Sequence, residues 1–233
     1  MLPTYHRREK LLRCLKSVEE ARARLDCHSY VYIYYSDKAD FQTDSNILRE
    51  NKGVFTRLLD FPYEASKLWN YHLKNMNADM MVYINDDVEL HPECLFRVKT
   101  AMNVWFPDTD GVVSIIQENI PENQACKTAF GAVGNKFADR FPERKVFCES
   151  YKRLYLDTEL YEYASKHKKL FYKNDKEIAP LLTHYHPAFF KNEMDETHTD
   201  VRKHLNADKI MYNRRKAKNL IWGDSFELIN SKN

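Results

Sequence analysis

The chain has 233 residues, 43% of them hydrophobic, which suits one large core or two small ones, and its net charge of +2 excludes a global field that would announce a nucleic-acid partner. No apolar run approaches the roughly 20 residues that cross a bilayer, and Met1-Leu2-Pro3-Thr4 lacks a signal peptide's apolar stretch, so the expected location is cytoplasmic, or host cytoplasm for a virus-encoded chain. Five cysteines without a CxxC pair argue against a disulfide framework or zinc knuckle, and five glycines without GxGxxG or GxxxxGK exclude a backbone cradle, leaving cations to hold any phosphate.

In chain order, Leu11, Leu15, Val18, Ala21 and Leu25, with Leu12 beside them, recur at helical spacing and predict a helix over residues 8–26. Residues 30–35, β-branched and aromatic throughout, predict a buried strand that stops at Ser36-Asp37, with most of its tyrosines in the core. Ala65, Leu68, Trp69 and Leu73 predict a helix over residues 64–76, and residues 80–84 a second buried strand ending in Asn85-Asp86-Asp87. Pro92 suits the first turn of a helix with Leu95, Val98 and Met102 inward. Residues 111–116 read as a strand, 157–167 as a helix with Leu160 and Ala164 inward, and 200–219 as a charged helix. Alternating strands and helices imply βαβ units and a mostly parallel sheet, with ligands at the carboxyl ends of its strands. No repeat or low-complexity linker interrupts the chain, and a functional boundary is expected near residue 110, between residues 1–110 and 111–233.

Two adjacent carboxylates at the end of an apolar strand repel strongly where water is scarce, unless a cation neutralises them. Oxygen ligands suit Mg²⁺ or Mn²⁺, which commonly bridge carboxylate to diphosphate. On these residues alone, Asp86 and Asp87 read either as a metal site or as capping residues in a solvated turn.

Pro3-Thr4-Tyr5-His6-Arg7, followed by Leu11-Leu12-Arg13-Cys14-Leu15-Lys16-Ser17-Val18, resembles the opening of the family 2 glycosyltransferases. Ser36-Asp37, Ala65-Ser66-Lys67-Leu68-Trp69-Asn70 and Tyr83-Ile84-Asn85-Asp86-Asp87-Val88 resemble, in the same order, that family's acid facing the base, its helix near the nucleotide and its DXD region. The resemblance implies a GT-A fold: an α/β, αβα sandwich with a central, mostly parallel sheet in a single compact domain. It implies a nucleotide diphosphate sugar as donor, UDP favoured, with Mn²⁺ or Mg²⁺ and inverting transfer to a hydroxyl acceptor such as a glycan or a hydroxymethylated base in viral DNA. Pro3, Thr4, Tyr5 and Asp37 would then bracket the base, with Arg7, Trp69, Asn70 and Asn85 around the nucleotide. Asp86 would face ribose or metal, and Asp87 would bind the ion. Asn85 departs from the first acid of a strict DXD, and only Met1-Leu2 precede Pro3 where the family has several apolar residues, so either the first strand is unusually short or the sequence begins late within it.

In the second half, the resemblance makes Phe130-Gly131-Ala132 the floor near the sugar and Leu156-Asp157-Thr158-Glu159-Leu160 the acidic acceptor-side motif. Asp157 is then the candidate base that strips the acceptor hydroxyl, and N-cap of the following helix is its other reading. His184 and His186, if extended, share one face; the resemblance implies that a late histidine completes the metal shell, His186 before His184, while a hydrogen-bonded structural role stays open for each. Asp195 and His198 fall on an expected mobile loop able to close over donor. Arg202, Lys203, Lys209, Arg214, Arg215, Lys216 and Lys218 form a basic stretch, read as a solvated helix face or as a contact to donor diphosphate or to a polyanionic acceptor such as DNA. Two other functions share these features. A nucleotidyltransferase acting on a sugar phosphate needs the same metal and nucleotide but usually opens with a Gly-rich loop absent here, and a non-catalytic nucleic-acid or glycan binding module would use the basic stretch and the aromatics.

Overall fold

The computed structural model describes residues 1–48, 52–60, 63–121, 126–173, 175, 177–187, 190 and 194–224. The first half runs β1 (Leu2–Thr4), α1 (Arg8–Arg22), β2 (Val31–Tyr35), α2 (Lys38–Leu48), β3 (Val54–Leu58), α3 (Ala65–Asn75), β4 (Met80–Tyr83), β5 (Val88–Leu90) and α4 (Cys94–Trp105). The second half runs β6 (Val112–Ser114), β7 (Ile116–Gln117), β8 (Gly131–Gly134), α5 (Asn135–Ala138), a 3₁₀ turn at Pro142–Arg144, α6 (Leu156–Lys166), β9 (Leu170–Phe171), β10 (Leu181–His184) and α7 (Glu196–Ala217).

Strands β1, β2 and β3 pair in parallel around a central β2, and β4, β8, β6 and β9 form a second set in that order. Met1 joins the two sets: its nitrogen donates to the Val82 carbonyl at 2.8 Å and its carbonyl accepts the Ile84 N–H at 3.2 Å, the pattern of a parallel bridge. The sheet therefore runs β3-β2-β1-β4-β8-β6-β9, and β8 alone runs against its neighbours. Alternate side chains feed two cores. Ile33 and Tyr35, Val113 and Ala132 face the core beneath α1 and α4, while Tyr34, Met81, Val112 and Val133 face the core beneath α3 and α6. Burial on both faces explains why β2 reads as a continuous apolar run rather than an alternating one. The architecture is the expected αβα sandwich in one domain, with the short first strand β1.

Helix α1 buries Leu11, Cys14, Leu15, Val18 and Ala21, while Leu12 lies outside the stripe, 45% exposed. It stops at Arg22, short of residue 26, and α7 starts at Glu196, ahead of residue 200. Asp86 and Asp87 sit in a turn that leads into β5, and the helix near Pro92 begins two residues later, at Cys94, with Glu93 rather than the acid pair as its cap. The strand expected over residues 111–116 is divided. Ile115 donates to the Phe130 carbonyl at 3.0 Å, whereas Ile116 already donates to Pro180 at 2.9 Å, so β6 stays in the large sheet and β7 leaves it.

A small third sheet, β5-β10-β7, follows from that departure. Strand β10 is antiparallel to β5, with His184 opposite Val88, and parallel to β7. The Tyr185 N–H donates to the Asp87 carbonyl at 2.9 Å. Register alone thus brings residues some hundred positions apart to the end of β4. All five cysteines are free thiols, and among the described residues no helix is long and apolar enough to cross a membrane.

Helix α7 is locked to the rest by buried acids. Asp208, 2% exposed, accepts the N–H groups of Lys152, Arg153 and Leu154 at 3.0, 2.9 and 2.9 Å. Glu159 accepts from Tyr151 Oη at 2.7 Å and from Arg215 Nε at 2.6 Å. An unmade hydrogen bond leaves the full desolvation cost of its donor, about 1–3 kcal/mol. Asp208→Ala should therefore lower unfolding stability by about 3 kcal/mol, with a smaller loss for Asp208→Asn, both measured by urea unfolding.

Candidate active site

A cavity of about 240 Å³ opens beyond the carboxyl ends of β1, β4 and β10. Pro3, Thr4, Tyr5, Arg7, Trp69, Asn85, Asp86 and Asp87 form one side, and Phe130, Asp157, His184, His186 and His198 the other. A second hollow of about 690 Å³ meets it at Tyr5, Tyr63, Arg153 and Thr197 and continues past Ser36 and Lys203.

The centre of the site is an arginine among acids. Arg7, 8% exposed, directs Nη1 to Asp86 Oδ1 at 2.8 Å and to Asp87 Oδ2 at 3.4 Å, and Nη2 to Asp195 Oδ1 at 2.9 Å. Lys10 reaches Asp195 Oδ2 at 2.8 Å. Asp86 and Asp87 are 2% and 3% exposed, and each keeps one buried oxygen, Asp86 Oδ2 and Asp87 Oδ1, without a hydrogen-bond partner. Burial pushes the Asp86 carboxyl up to about 6 against the pull of Arg7, with Asp87 adding repulsion. Burial acts the same way on Asp87, but His184, His198 and Arg7 outweigh it and hold that carboxyl well below the usual range.

Three imidazoles gather on the far side of Asp87. His184 Nε2 lies 3.6 Å from Asp87 Oδ1, His198 Nε2 lies 3.5 Å from Asp87 Oδ2, and the His186 ring stands 5.2 Å from the ring of His184 and 5.6 Å from that of His198. His184 Nδ1 is 2.7 Å from Gln117 Oε1, an acceptor, so that nitrogen carries a proton and Nε2 is the atom turned to Asp87. Burial, with the two neighbouring imidazoles, lowers His186 to about 4, so this ring is neutral at physiological pH. The orphaned carboxylate oxygens and this mixed oxygen and nitrogen donor set have the chemistry a divalent cation takes, while among the described residues the ligand atoms that lie within 4.8 Å of one another are those of His6, Asp37 and Asp40. His184, ranked second from sequence, makes the closer approach to Asp87.

Asp157 faces the cavity from the second residue of α6. The helix is capped by Tyr155, in the left-handed region at φ 68°, so the N-cap reading of Asp157 is corrected. Burial raises its carboxyl, and its Oδ1 accepts the Thr158 N–H at 2.9 Å. Asp195 and His198, expected on a loop, belong to the start of α7: Asp195 is the N-cap and accepts the His198 N–H at 3.1 Å.

Two expected nucleotide contacts fall elsewhere. Asn70, 3% exposed, spends its amide on the main chain of Phe147, donating at 2.7 Å and accepting at 2.9 Å, and lines neither hollow. Asp37 caps α2, accepting the N–H groups of Ala39 and Asp40 at 2.8 and 2.9 Å, and its neighbour Ser36 takes the place on the hollow's wall. Trp69 keeps its place, packed on Tyr83 and Phe147 at 4.9 and 4.8 Å between ring centres, with a buried Nε1 that has no acceptor. Tyr63 and Arg153 were missed. The Arg153 guanidinium lies 4.5 Å from the Tyr63 ring centre, a pairing of distant residues with no local signal.

No protein-family model matches the chain, and no curated protein sequence does. Solved structures do match. TarS of S. aureus, residues 1–349 in complex with UDP, is 15% identical over 88% of this chain and 70% of that one, with a TM-score of 0.58. The mannosyltransferase PcManGT from Pyrobaculum calidifontis, in complex with GDP-Man and Mn²⁺, is 14% identical over 77% of this chain and 55% of that one, with a TM-score of 0.56. The fold is that of the GT-A glycosyltransferases.

Because Asn70 serves Phe147 rather than a ligand, Asn70→Ala should cost about 2 kcal/mol of stability. Donor affinity, measured by calorimetry below the melting temperature, should stay unchanged; a large loss of affinity would restore Asn70 to the site.

Proposed function

We propose that the protein is a metal-dependent, inverting glycosyltransferase that moves a sugar from a nucleotide diphosphate donor, UDP favoured, to a hydroxyl acceptor. The observation that carries the reading is one cavity, at the strand ends of a GT-A fold, shared by the half-paired Asp86–Asp87 carboxylates and by Asp157. Residues 1–110 supply most of the donor side and residues 111–233 the base and acceptor side, with His184 and His186 crossing back to the metal.

Pro3, Thr4 and Tyr5 lie where the nucleoside enters, and the larger hollow past Ser36 and Tyr63 has room for it. Asp86 is placed for ribose or metal. Asp87 with His184 and His186 would hold the ion, and their nitrogen donors favour Mn²⁺ over Mg²⁺, which takes oxygen ligands. When bound, the ion stabilises the charge that develops on the departing diphosphate. The Asp157 carboxylate accepts the proton of the acceptor hydroxyl as its oxygen attacks the anomeric carbon, and burial strengthens it as a base. Arg215 and Lys216 pair with Glu159 and Glu162 at 2.6 and 3.2 Å, so part of the basic stretch on α7 anchors the helix. Lys203 lies 3.9 Å from Asp200, and Arg202, Lys209, Arg214 and Lys218 stay available to a glycan or DNA acceptor. The proposed location is the cytoplasm.

Asp157→Asn should reduce kcat by about 10²–10⁴-fold while leaving donor binding intact, as followed by calorimetry alongside a transfer assay. Asp87→Ala or a chelator should abolish transfer in folded protein; full turnover by Asp87→Ala would sink the reading. A thermal-shift screen of nucleotide sugars with Mn²⁺ identifies the donor, since a ligand at 100 times its Kd adds about 2.7 kcal/mol of stability.

A further inference from the structure

Resting on the metal site just proposed, the geometry points to a specific role for Arg7: it makes divalent-cation binding conditional on a diphosphate. Arg7 and a cation do not need the same atoms. The guanidinium takes Asp86 Oδ1 and Asp87 Oδ2, and the oxygens left over are Asp86 Oδ2 and Asp87 Oδ1. Each carboxylate is thus half engaged by a fixed cation; of the remaining oxygens, Asp86 Oδ2 has no hydrogen-bond partner and Asp87 Oδ1 faces His184 Nε2 at 3.6 Å, beyond hydrogen-bond reach.

Charge then decides when the open half fills. Around Arg7, three carboxylates (Asp86, Asp87 and Asp195) face two cations, Arg7 and Lys10, which leaves at most one negative charge in excess with the His184 and His198 rings counted as neutral. A divalent ion bound alone turns this into one positive charge in excess, a few ångströms from a guanidinium whose side chain is 6% exposed. Like charges so placed, with little water between them, repel strongly. A diphosphate bound at the same time supplies the missing negative charge. Arg7 also cannot withdraw at low cost. Its Nη2 holds Asp195, the cap of α7, and lies 3.0 Å from His198 Nδ1, so leaving would strip partners from both ends of the cluster. The guanidinium is a resident cation that sets the order of loading: ion and diphosphate enter as a pair, each tightening the other by the same factor.

The test titrates Mn²⁺ by isothermal calorimetry into the full chain, wild type and Arg7→Met, each alone and saturated with UDP, GDP or inorganic pyrophosphate. The data are corrected for the Mn²⁺ complexes those anions form in solution, and circular dichroism checks the fold. Wild type should bind Mn²⁺ weakly alone and about tenfold or more tightly with a diphosphate. Arg7→Met should bind Mn²⁺ alone about tenfold more tightly than wild type, and its gain from the diphosphate should shrink to match. Wild-type affinity that is the same with and without every diphosphate overturns the proposal, a result that does not depend on the variant's folding. A folded Arg7→Met with the full wild-type coupling also overturns it, and both outcomes leave the metal site standing. Absence of Mn²⁺ binding in every state overturns the proposal and the metal-dependent reading together.

Discussion

Two carboxylates next to each other at the end of a buried strand are the constraint around which the site is organised. Asp86 and Asp87 are almost wholly removed from water, and an isolated carboxylate in such surroundings costs several kcal/mol. The fold meets that cost with a guanidinium from the turn after β1 and with imidazoles from β10 and α7. It does so incompletely: Asp86 Oδ2 has no hydrogen-bond partner, and Asp87 Oδ1 has only His184 Nε2 at 3.6 Å. A site shaped only for stability would satisfy these atoms or replace them with apolar groups. Incomplete satisfaction at the carboxyl edge of a parallel sheet is where ligand binding is expected.

The convergence depends on backbone register more than on sequence proximity. Met1 bridges β1 to β4, so the end of β1, which carries Thr4 and leads to Arg7, lies beside the end of β4, which leads to Asp86. The departure of β7 from the large sheet gives β10 a partner on each side, and the pairing of His184 with Val88 sets an imidazole against Asp87. Gly131 has a comparable role within the large sheet, because a Cβ there would stand 2.6 Å from the Val113 carbonyl oxygen. The close approach of β8 to β6 therefore requires a glycine, and Phe130 at its entrance lines the cavity.

What could be read from the sequence divides along the same line. Strands β2 and β4 and helices α1, α3, α4, α6 and α7 were legible because each carries its periodicity within its own residues, and burial on both faces made β2 continuous and apolar. Strands β5, β7 and β8 were not, because they are three, two and four residues long and exist through their partners. Candidate residues behaved likewise. Pro3, Thr4, Tyr5, Arg7, Trp69 and Asn85–Asp87 reach the cavity because the strand end that carries each motif also aims it. Asn70 and Asp37 do not, since a main-chain partner captured the side chain first: Phe147 for one and the first turn of α2 for the other. A motif fixes residue type and position along an element, but it does not fix which of two nearby acceptors or donors wins.

The position of α7 shows how far the chemistry depends on that competition. Its first turn carries His198 and its cap is Asp195, both bound to Arg7 at the acid pair. Its middle holds Asp208, which gathers the main chain of residues 152–154 just before Tyr155 turns left-handed and α6 begins with Asp157 on its second residue. Its end holds Arg215, paired to the buried Glu159 two residues beyond Asp157. One helix therefore touches the acid pair at the end of β4 and fixes the entry to α6, which bears Asp157. Polar burial of this kind is costly unless every partner is present, and here the partners come from both ends of the chain. The acid pair at the end of β4 and the carboxylate on α6 line one cavity, and the polar contacts of a single helix reach both its walls.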